Sequence, residues 1–293
     1  MPALDVTENR LASASVAKAN VITRAVMSQK SDDIRFGELR AILHGEPDEH
    51  AWQQLCEFFD AFPAVAQNNS DSHEAPPRGG SEWEEKFLAY ACSIVRHWPI
   101  SFCQPSWSWL HQLYRGESHP KFKLLRSLRL RSRIADDDLI NLCHEPHLDH
   151  ISSLYILGME LRPDQIHALA GGVLLENLTH LELWSNGLDH LLLTLLFKST
   201  PALAGNLESL ELPKNRVGDM GAEAIANIAW RQLRALNLWH TGLTNTGAKA
   251  LEASPHLGNL EQLNLGSNTG ISHDILERIE QSEAFAPKFE LRF

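Results

Sequence analysis

The sequence predicts an α/β fold: a right-handed β/α solenoid with about seven parallel strands, curved like a horseshoe, preceded by an all-α N-terminal domain. Three observations support this prediction. A short apolar frame recurs at a nearly constant interval through residues 121–293. Helical spacing of small and aliphatic residues follows the better copies of the frame, and the first hundred residues carry apolar residues at helical spacing without the frame.

The recurring frame has eleven positions, with apolar residues at the first, fourth, sixth and eleventh. Successive copies start 26, 27, 29, 26 and 27 residues apart. A fixed period in this range is typical of a stacked solenoid, in which each unit buries its apolar face against its neighbours. The copies are LRSLRLRSRI at Leu125, ISSLYILGMEL at Ile151, LTHLELWSNGL at Leu178, LESLELPKNRV at Leu207, LRALNLWHTGL at Leu233 and LEQLNLGSNTGI at Leu260.

The second half of each unit predicts a helix. The segments DMGAEAIANIA and NTGAKALEA have helical spacing, and we expect Asp219 and Asn245 to cap them. Parallel strands need a crossover connection, which these helices supply. The segment FAPKFELRF predicts a seventh, edge strand, with charged residues on its alternate face.

The frame resembles the LxxLxLxxNxL pattern of the leucine-rich repeat family. Asn186, Asn215 and Asn268 stand at the ninth position, whereas Thr241, Met159 and Arg133 depart from it. The period and the GAxALA-like helices resemble the ribonuclease-inhibitor-like subtype. The resemblance implies a horseshoe with its sheet on the concave side and a role in protein binding.

Three segments make up the predicted domain organisation. Residues 1–96 form a helical N-terminal domain with a flexible loop at 67–81, where Pro-Pro and Gly-Gly interrupt a polar stretch. Residues 97–120 form an N-terminal capping unit, in which we expect Trp107, Trp109 and Leu110 to close the core. Residues 121–293 carry the repeats. We expect four helices in the first domain: one at 8–28, two separated near HGEPD, and one at 81–98. Part of this region resembles helical modules that precede leucine-rich repeats in some bacterial proteins. It resembles an F-box faintly, but it lacks the Leu-Pro that opens that module.

Composition favours a cytoplasmic protein. The N-terminus carries Asp5 and Glu8 where a signal peptide needs positive charge, and no apolar run is long enough for a membrane span. Four cysteines without a CxxC pair indicate reduced thiols. The net charge of −11 argues against binding of nucleic acid or of an anionic membrane.

The alternation of strand residues predicts an exposed row on the concave face. The third, fifth and seventh positions point away from the core. The seventh positions include four neighbouring apolar residues, which fits a protein-binding surface; the alternative is that the rings cover one another or lie beneath the N-terminal helices. The predicted partner-binding residues are Tyr155, Leu157, Glu182, Trp184, Glu211, Pro213, Asn237, Trp239 and His240.

A basic patch precedes and overlaps the first strand. Thirteen residues there carry six basic side chains and no acid, whereas the 160 that follow carry ten basic and 21 acidic ones. An acidic protein or a phosphate group could bind there, or neighbouring acids could neutralise a solvated face. The patch comprises Lys121, Lys123, Arg126, Arg129, Arg131 and Arg133.

The sequence gives little indication of metal binding or catalysis. Cys143, His144, His147 and His150 are of types that bind zinc, but their spacing matches no standard zinc site. We find no phosphate-binding glycine loop and no nucleophile motif, so we expect neither a cofactor nor an enzyme. The resulting hypothesis is a non-enzymatic module that binds a protein on the concave face; the alternative is an adaptor or regulatory subunit that docks a separate enzyme, in protein modification or defence, through its helical domain.

Overall fold

The computed structural model describes residues 33–61, 81–131 and 136–293. The chain divides into two compact units, Met1–His97 and Trp98–Phe293. The helix predicted at 8–28 and nearly all of the loop predicted at 67–81 lie outside the described residues, and Ser81 begins a helix. No helix in the described ranges is both long and apolar enough to cross a membrane.

The described part of the first unit consists of helices α1 (33–43), α2 (Glu49–Asp60) and α3 (Ser81–Val95). Helix α2 begins where the Asp48 carboxylate accepts a hydrogen bond from Ala51 N at 2.7 Å. Each helix buries one apolar stripe at helical spacing. The stripes include Leu39 and Leu43; Trp52, Leu55 and Phe59; and Phe87, Ala91 and Val95.

The second unit contains one parallel sheet of seven strands, which confirms the predicted α/β class. Its spatial order is the chain order, β1 to β7, and helices lie in the connections. The strands are β1 (Ser127–Arg131), β2 (Ser153–Leu157), β3 (His180–Glu182), β4 (Ser209–Glu211), β5 (Ala235–Asn237), β6 (Gln262–Asn264) and β7 (Glu290–Arg292). The helices are α4 (Trp107–Tyr114), α5 (Asp136–Cys143), α6 (Pro163–Gly171), α7 (His190–Ser199), α8 (Pro201–Asn206), α9 (Gly218–Ala226), α10 (Asn245–Glu252) and α11 (His273–Glu280), with 3-10 turns at Pro120–Leu124, Pro146–Leu148 and Val173–Leu175.

The strands pair without a change of register, so equivalent frame positions stand side by side. The fourth-position leucines form one continuous buried row across the sheet, and the sixth positions form a second where the frame is present. Burial of these side chains is the main stabilising contribution of the unit, about 25 cal/mol for each Å² of apolar surface. The fourth-position row is Leu128, Leu154, Leu181, Leu210, Leu236, Leu263 and Leu291.

The segment before β1 docks on the sheet through its backbone. The Cys103 carbonyl accepts hydrogen bonds from Arg126 N at 3.0 Å and Ser127 N at 3.1 Å, as second-position carbonyls do for the following unit. Trp109 of α4 is fully buried. The prediction that Trp107 closes the core is wrong, because this ring is 74% exposed and stacks edgewise on His111 instead.

Candidate functional site

The third, fifth and seventh positions of the repeated frame define what we call the outer face of the sheet. Leucines at the fourth and sixth positions are buried, whereas most residues at the third, fifth and seventh are half-buried or exposed. The alternation of side chains along a strand produces this separation. Every predicted partner-binding residue except His240 therefore stands on one face.

A lysine joins the two tryptophans of this face. Lys214 Nζ lies 5.0 Å from the centroid of the Trp184 ring and 5.4 Å from that of Trp239. An ammonium group over an indole is stabilised by the negative face of the ring, by about 0.5–1 kcal/mol at exposed sites. Trp184 is 36% exposed and Trp239 is half-buried. We call these three residues the Trp–Lys–Trp bridge.

Pro213 is not part of an exposed row, contrary to the prediction. It is buried, although its register places it between Trp184 and Trp239. Its short pyrrolidine ring is flanked in register by two much larger indoles that Lys214 links. Leu157, the next residue along the row, is half-buried.

In five of the described units, the residue after the seventh position adopts a left-handed backbone conformation. In four of the five units, its N–H donates to the seventh-position carbonyl of the next unit, as from Lys214 N to Trp239 O at 2.9 Å. For a residue other than glycine this conformation costs about 1–2 kcal/mol. The five residues are Gly158, Ser185, Lys214, His240 and Ser267, with φ between 52° and 66°.

His240 is one of these left-handed residues. It is exposed, and its ring centroid lies 5.5 Å from that of Trp239. This agrees with an edge position beside the tryptophan row.

Two carboxylates lie at the centre of the outer face. Glu182 and Glu211 are directly paired on adjacent strands. Burial raises the pKa of Glu182, the Glu211 carboxylate raises it further, and Arg129 lowers it in part. The guanidinium of Arg129 lies 4.5 Å from the centroid of the Tyr155 ring.

A polar hollow of about 70 Å³ lies over strands β4 to β7. Enzyme pockets for small molecules are several times larger, about 300–1,000 Å³. Asn237 Nδ2 donates to Glu211 Oε2 at 3.4 Å within it. The other polar residues that line it are Asn264, Gln262 and Arg292.

Buried asparagines beyond the strands hold adjacent units together. Asn268 Oδ1 accepts from Thr241 N at 2.9 Å and Leu243 N at 3.1 Å, while its Nδ2 donates to Leu238 O and Leu265 O, each at 2.8 Å. Asn186 and Asn215 make equivalent bonds. Thr241 retains part of this chemistry, since its hydroxyl donates to Leu238 O at 2.7 Å.

Asp219 and Asn245 cap the neighbouring helix and not their own, so the predicted capping role is corrected. Asp219 Oδ1 accepts from Thr244 N at 2.8 Å and Gly247 N at 2.9 Å, both at the start of α10. Asn245 Oδ1 accepts from Ser272 N at 2.8 Å, just before α11. Partial burial opposes ionisation of Asp219, but the hydrogen bonds from Thr244 and Gly247 outweigh it and hold the pKa of its carboxyl below 3.8.

The predicted basic patch is smaller than its sequence suggests. Lys121 is only 4% exposed, with Nζ 5.1 Å from the centroid of the Trp109 ring. Arg126 is half-buried and donates to Trp98 O at 3.2 Å. Arg133 lies outside the described residues. The exposed members are Lys123, Arg129 and Arg131.

The cysteine and histidines of the CHEPHLDH segment make separate contacts. Burial raises the pKa of the Cys143 thiol to about 12, and His144 is exposed. His147 Nδ1 lies 2.7 Å from the buried Glu145 carboxylate, and His150 Nδ1 lies 3.4 Å from Asp149. Among the residues that the structure describes, no three histidine, cysteine or acidic side chains converge as metal ligands.

Sequence reasoning missed the role of Lys214 within the candidate site. The register of the frame could have indicated this role. Lys214 stands at the eighth position of its unit, and the seventh position of each flanking unit is a tryptophan. No protein-family model matches the chain, and a search of curated proteins finds no similar sequence.

Proposed function

We propose that the chain is a leucine-rich repeat protein of the ribonuclease-inhibitor-like subtype, a non-enzymatic cytoplasmic module whose concave sheet face binds a protein partner. The Trp–Lys–Trp bridge on the outer face carries this proposal. Tryptophan is enriched among the residues that dominate binding energy at protein interfaces. A ring that is 36% exposed beside a second one offers a partner apolar area at a small entropic cost.

The surroundings of the bridge also favour a protein partner over a substrate. Glu182, Glu211 and Asn237 provide polar groups beside the tryptophans, as in an interface whose apolar centre has a polar border. The hollow of about 70 Å³ is too small to enclose a substrate.

The test is capture of a partner by the full chain and by the double variant Trp184→Ala/Trp239→Ala. A partner identified from the native host is purified, and its affinity for each variant is measured by calorimetry. We expect the double variant to bind at least ten times more weakly, or about 2 kcal/mol less, with a nearly unchanged thermal transition.

Trp107→Ala is the matched control, because it removes an exposed tryptophan outside the outer face. It should leave the affinity unchanged. Equal losses in the control and the double variant, or a large loss of stability in the double variant, would sink the proposal.

The division of the chain into two compact units favours a second candidate, an adaptor that binds one partner on each unit. In the full chain, Trp184→Ala/Trp239→Ala should then release one partner and retain another, enzymatic one. Release of every partner by this variant supports the simple binding module instead.

A further inference from the structure

The fifth positions of the seven strands carry an ordered pattern of charge. Each is paired with its neighbour, so their side chains form one row about 4.8 Å apart across the outer face. Basic residues occupy both ends of the row, and two acids occupy the middle. The row reads Arg129, Tyr155, Glu182, Glu211, Asn237, Asn264, Arg292.

Arg129 compensates the charge of the two central acids only in part. No salt bridge joins Glu182 or Glu211 to a basic side chain in the described part of the chain. Arg129 stands two strands from Glu182, with its guanidinium over Tyr155. Since the two carboxylates are directly paired and the Glu211 carboxylate raises the pKa of Glu182, a cation placed between them would be attracted by both.

The amides beside this pair have a fixed orientation. Asn237 Oδ1 accepts from Trp239 N at 3.0 Å, and Asn264 Oδ1 accepts from Gly266 N at 2.9 Å. Because each carbonyl oxygen accepts from the backbone, the Nδ2 groups are the donors beside the polar hollow that both residues line. Asn237 Nδ2 directs one N–H to Glu211 Oε2 at 3.4 Å and has a second N–H to donate. A ligand oxygen is the complementary group there.

Along the strand direction the outer face changes from anionic to apolar and cationic. The acids stand at the fifth position, whereas the Trp–Lys–Trp bridge stands at the seventh and eighth. Lys214 repels a basic group from the bridge. A basic side chain of a partner would therefore bind at the fifth-position acids, and an apolar side chain of the same partner would bind at the tryptophans.

We propose that the partner is a protein segment that places an arginine between Glu182 and Glu211, an apolar side chain against Trp184 and Trp239, and a carbonyl oxygen at Asn237 and Asn264. The inference rests on the proposed function and adds the chemistry of the partner. Arginine suits the acidic pair better than lysine because its planar guanidinium carries donors that reach two carboxylates at once.

The experiment uses a displayed library of random twelve-residue peptides against the full chain. Four forms are compared: wild type, Glu182→Gln/Glu211→Gln, Trp184→Ala/Trp239→Ala, and the control Glu176→Gln/Glu223→Gln, which removes two exposed acids away from the outer face. Wild type and control should enrich peptides in which arginine adjoins an aromatic or aliphatic residue. The best peptide, synthesised, should bind Glu182→Gln/Glu211→Gln at least ten times more weakly, and its Arg→Ala version should show no further loss on that variant.

The outcomes separate the two proposals. Peptides that depend on the tryptophans but lack a basic residue, or that bind the glutamine variant as tightly as wild type, overturn the inference and leave the proposed function standing. No enrichment, or peptides indifferent to Trp184→Ala/Trp239→Ala, counts against both. Thermal transitions of all four forms verify that each is folded.

Discussion

The pyrrole side of the Trp239 indole packs against Gly266 in the next unit, where an added Cβ would lie 2.8 Å from Trp239 Cδ1. Gly266→Ala should therefore displace the ring from its place beside Lys214. We expect a loss of about 1–3 kcal/mol in the free energy of unfolding, as for other overpacked sites, and weaker partner binding. Denaturant unfolding and calorimetry measure both quantities.

Gly171→Ala is the control for this substitution. An added Cβ at Gly171, in helix α6, meets no atom within 4 Å. This variant should be neutral or slightly more stable, since alanine is favoured over glycine in helices by about 0.5–1 kcal/mol. An equal loss in both variants would mean that Trp239 is not held by Gly266.

The Lys214 side chain makes favourable contacts with two indole rings, whereas its left-handed backbone conformation is unfavourable for a residue other than glycine. Lys214→Ala loses both ring contacts and keeps the left-handed φ of 57°, whereas Lys214→Gly loses the contacts and relieves the strain. The glycine variant should be the more stable of the two by about 1 kcal/mol.

At Lys249, in helix α10, the order should be reversed, with alanine more stable than glycine by about 1 kcal/mol. Chemical denaturation of the four variants gives the comparison. The same order at both positions would contradict the role given to the left-handed conformation.

Asn268 satisfies buried groups of two units. Asn268→Ala leaves the N–H groups of Thr241 and Leu243 and two carbonyls without this amide, so we expect a loss of about 3 kcal/mol. Thr241→Val removes one hydroxyl donor from the same region and should cost about 1 kcal/mol. Thermal unfolding that ranks the two variants the other way would refute this assignment.

Glu182 should make stability depend on pH in a defined direction. Burial and the Glu211 carboxylate raise its pKa in the folded chain above the ordinary 4.5. The folded state therefore holds this proton more tightly than the unfolded state, and the associated stability is lost as pH rises from 4.5 through the raised pKa. At pH 7, Glu182→Gln should raise the melting temperature by a few degrees at most.

Well below pH 4.5 the glutamine variant and the wild type should melt together. Glu223→Gln, an exposed acid on helix α9, is the matched control and should show no such pH-dependent difference. A stabilisation by Glu182→Gln that is equal at both pH values would contradict the pKa assignment.

The strands and their register follow from the sequence because the signal recurs. Each leucine at the fourth position faces the same buried environment. One copy of the frame is compatible with several structures, but several copies at a constant interval predict a stacked parallel sheet. The side that each residue faces was predictable for the same reason. Trp184 and Glu182 lie where alternation places them.

The exposure of each residue was less predictable, because it depends on the size of the neighbours. Pro213 faces outward by alternation, yet it is buried at a position flanked by two larger indoles. Lys121 reads as a surface charge, but its side chain packs on Trp109. Both outcomes require knowledge of which side chains stand beside each other.

The cap formed by Asp219 was assigned to the wrong helix for a related reason. Capping rules compare a residue with the N–H groups that follow it in the chain. The carboxylate of Asp219 binds N–H groups 25 and 28 residues further on. Only the lateral packing of α9 beside α10 brings these groups within reach.

The five left-handed residues separate the side chains at the margin of the sheet from the buried residues behind them, so the two sets can differ in sequence independently. Glycine, serine, lysine and histidine all occupy this position with φ between 52° and 66°. Behind three of them, Asn186, Asn215 and Asn268 each donate to the sixth-position carbonyl of the preceding unit. Replacing one of these side chains alters the chemistry along the margin of the sheet without moving the backbone that supports it. The chain thus has five positions, on adjoining units, at which the surface chemistry can change one residue at a time on an unchanged framework.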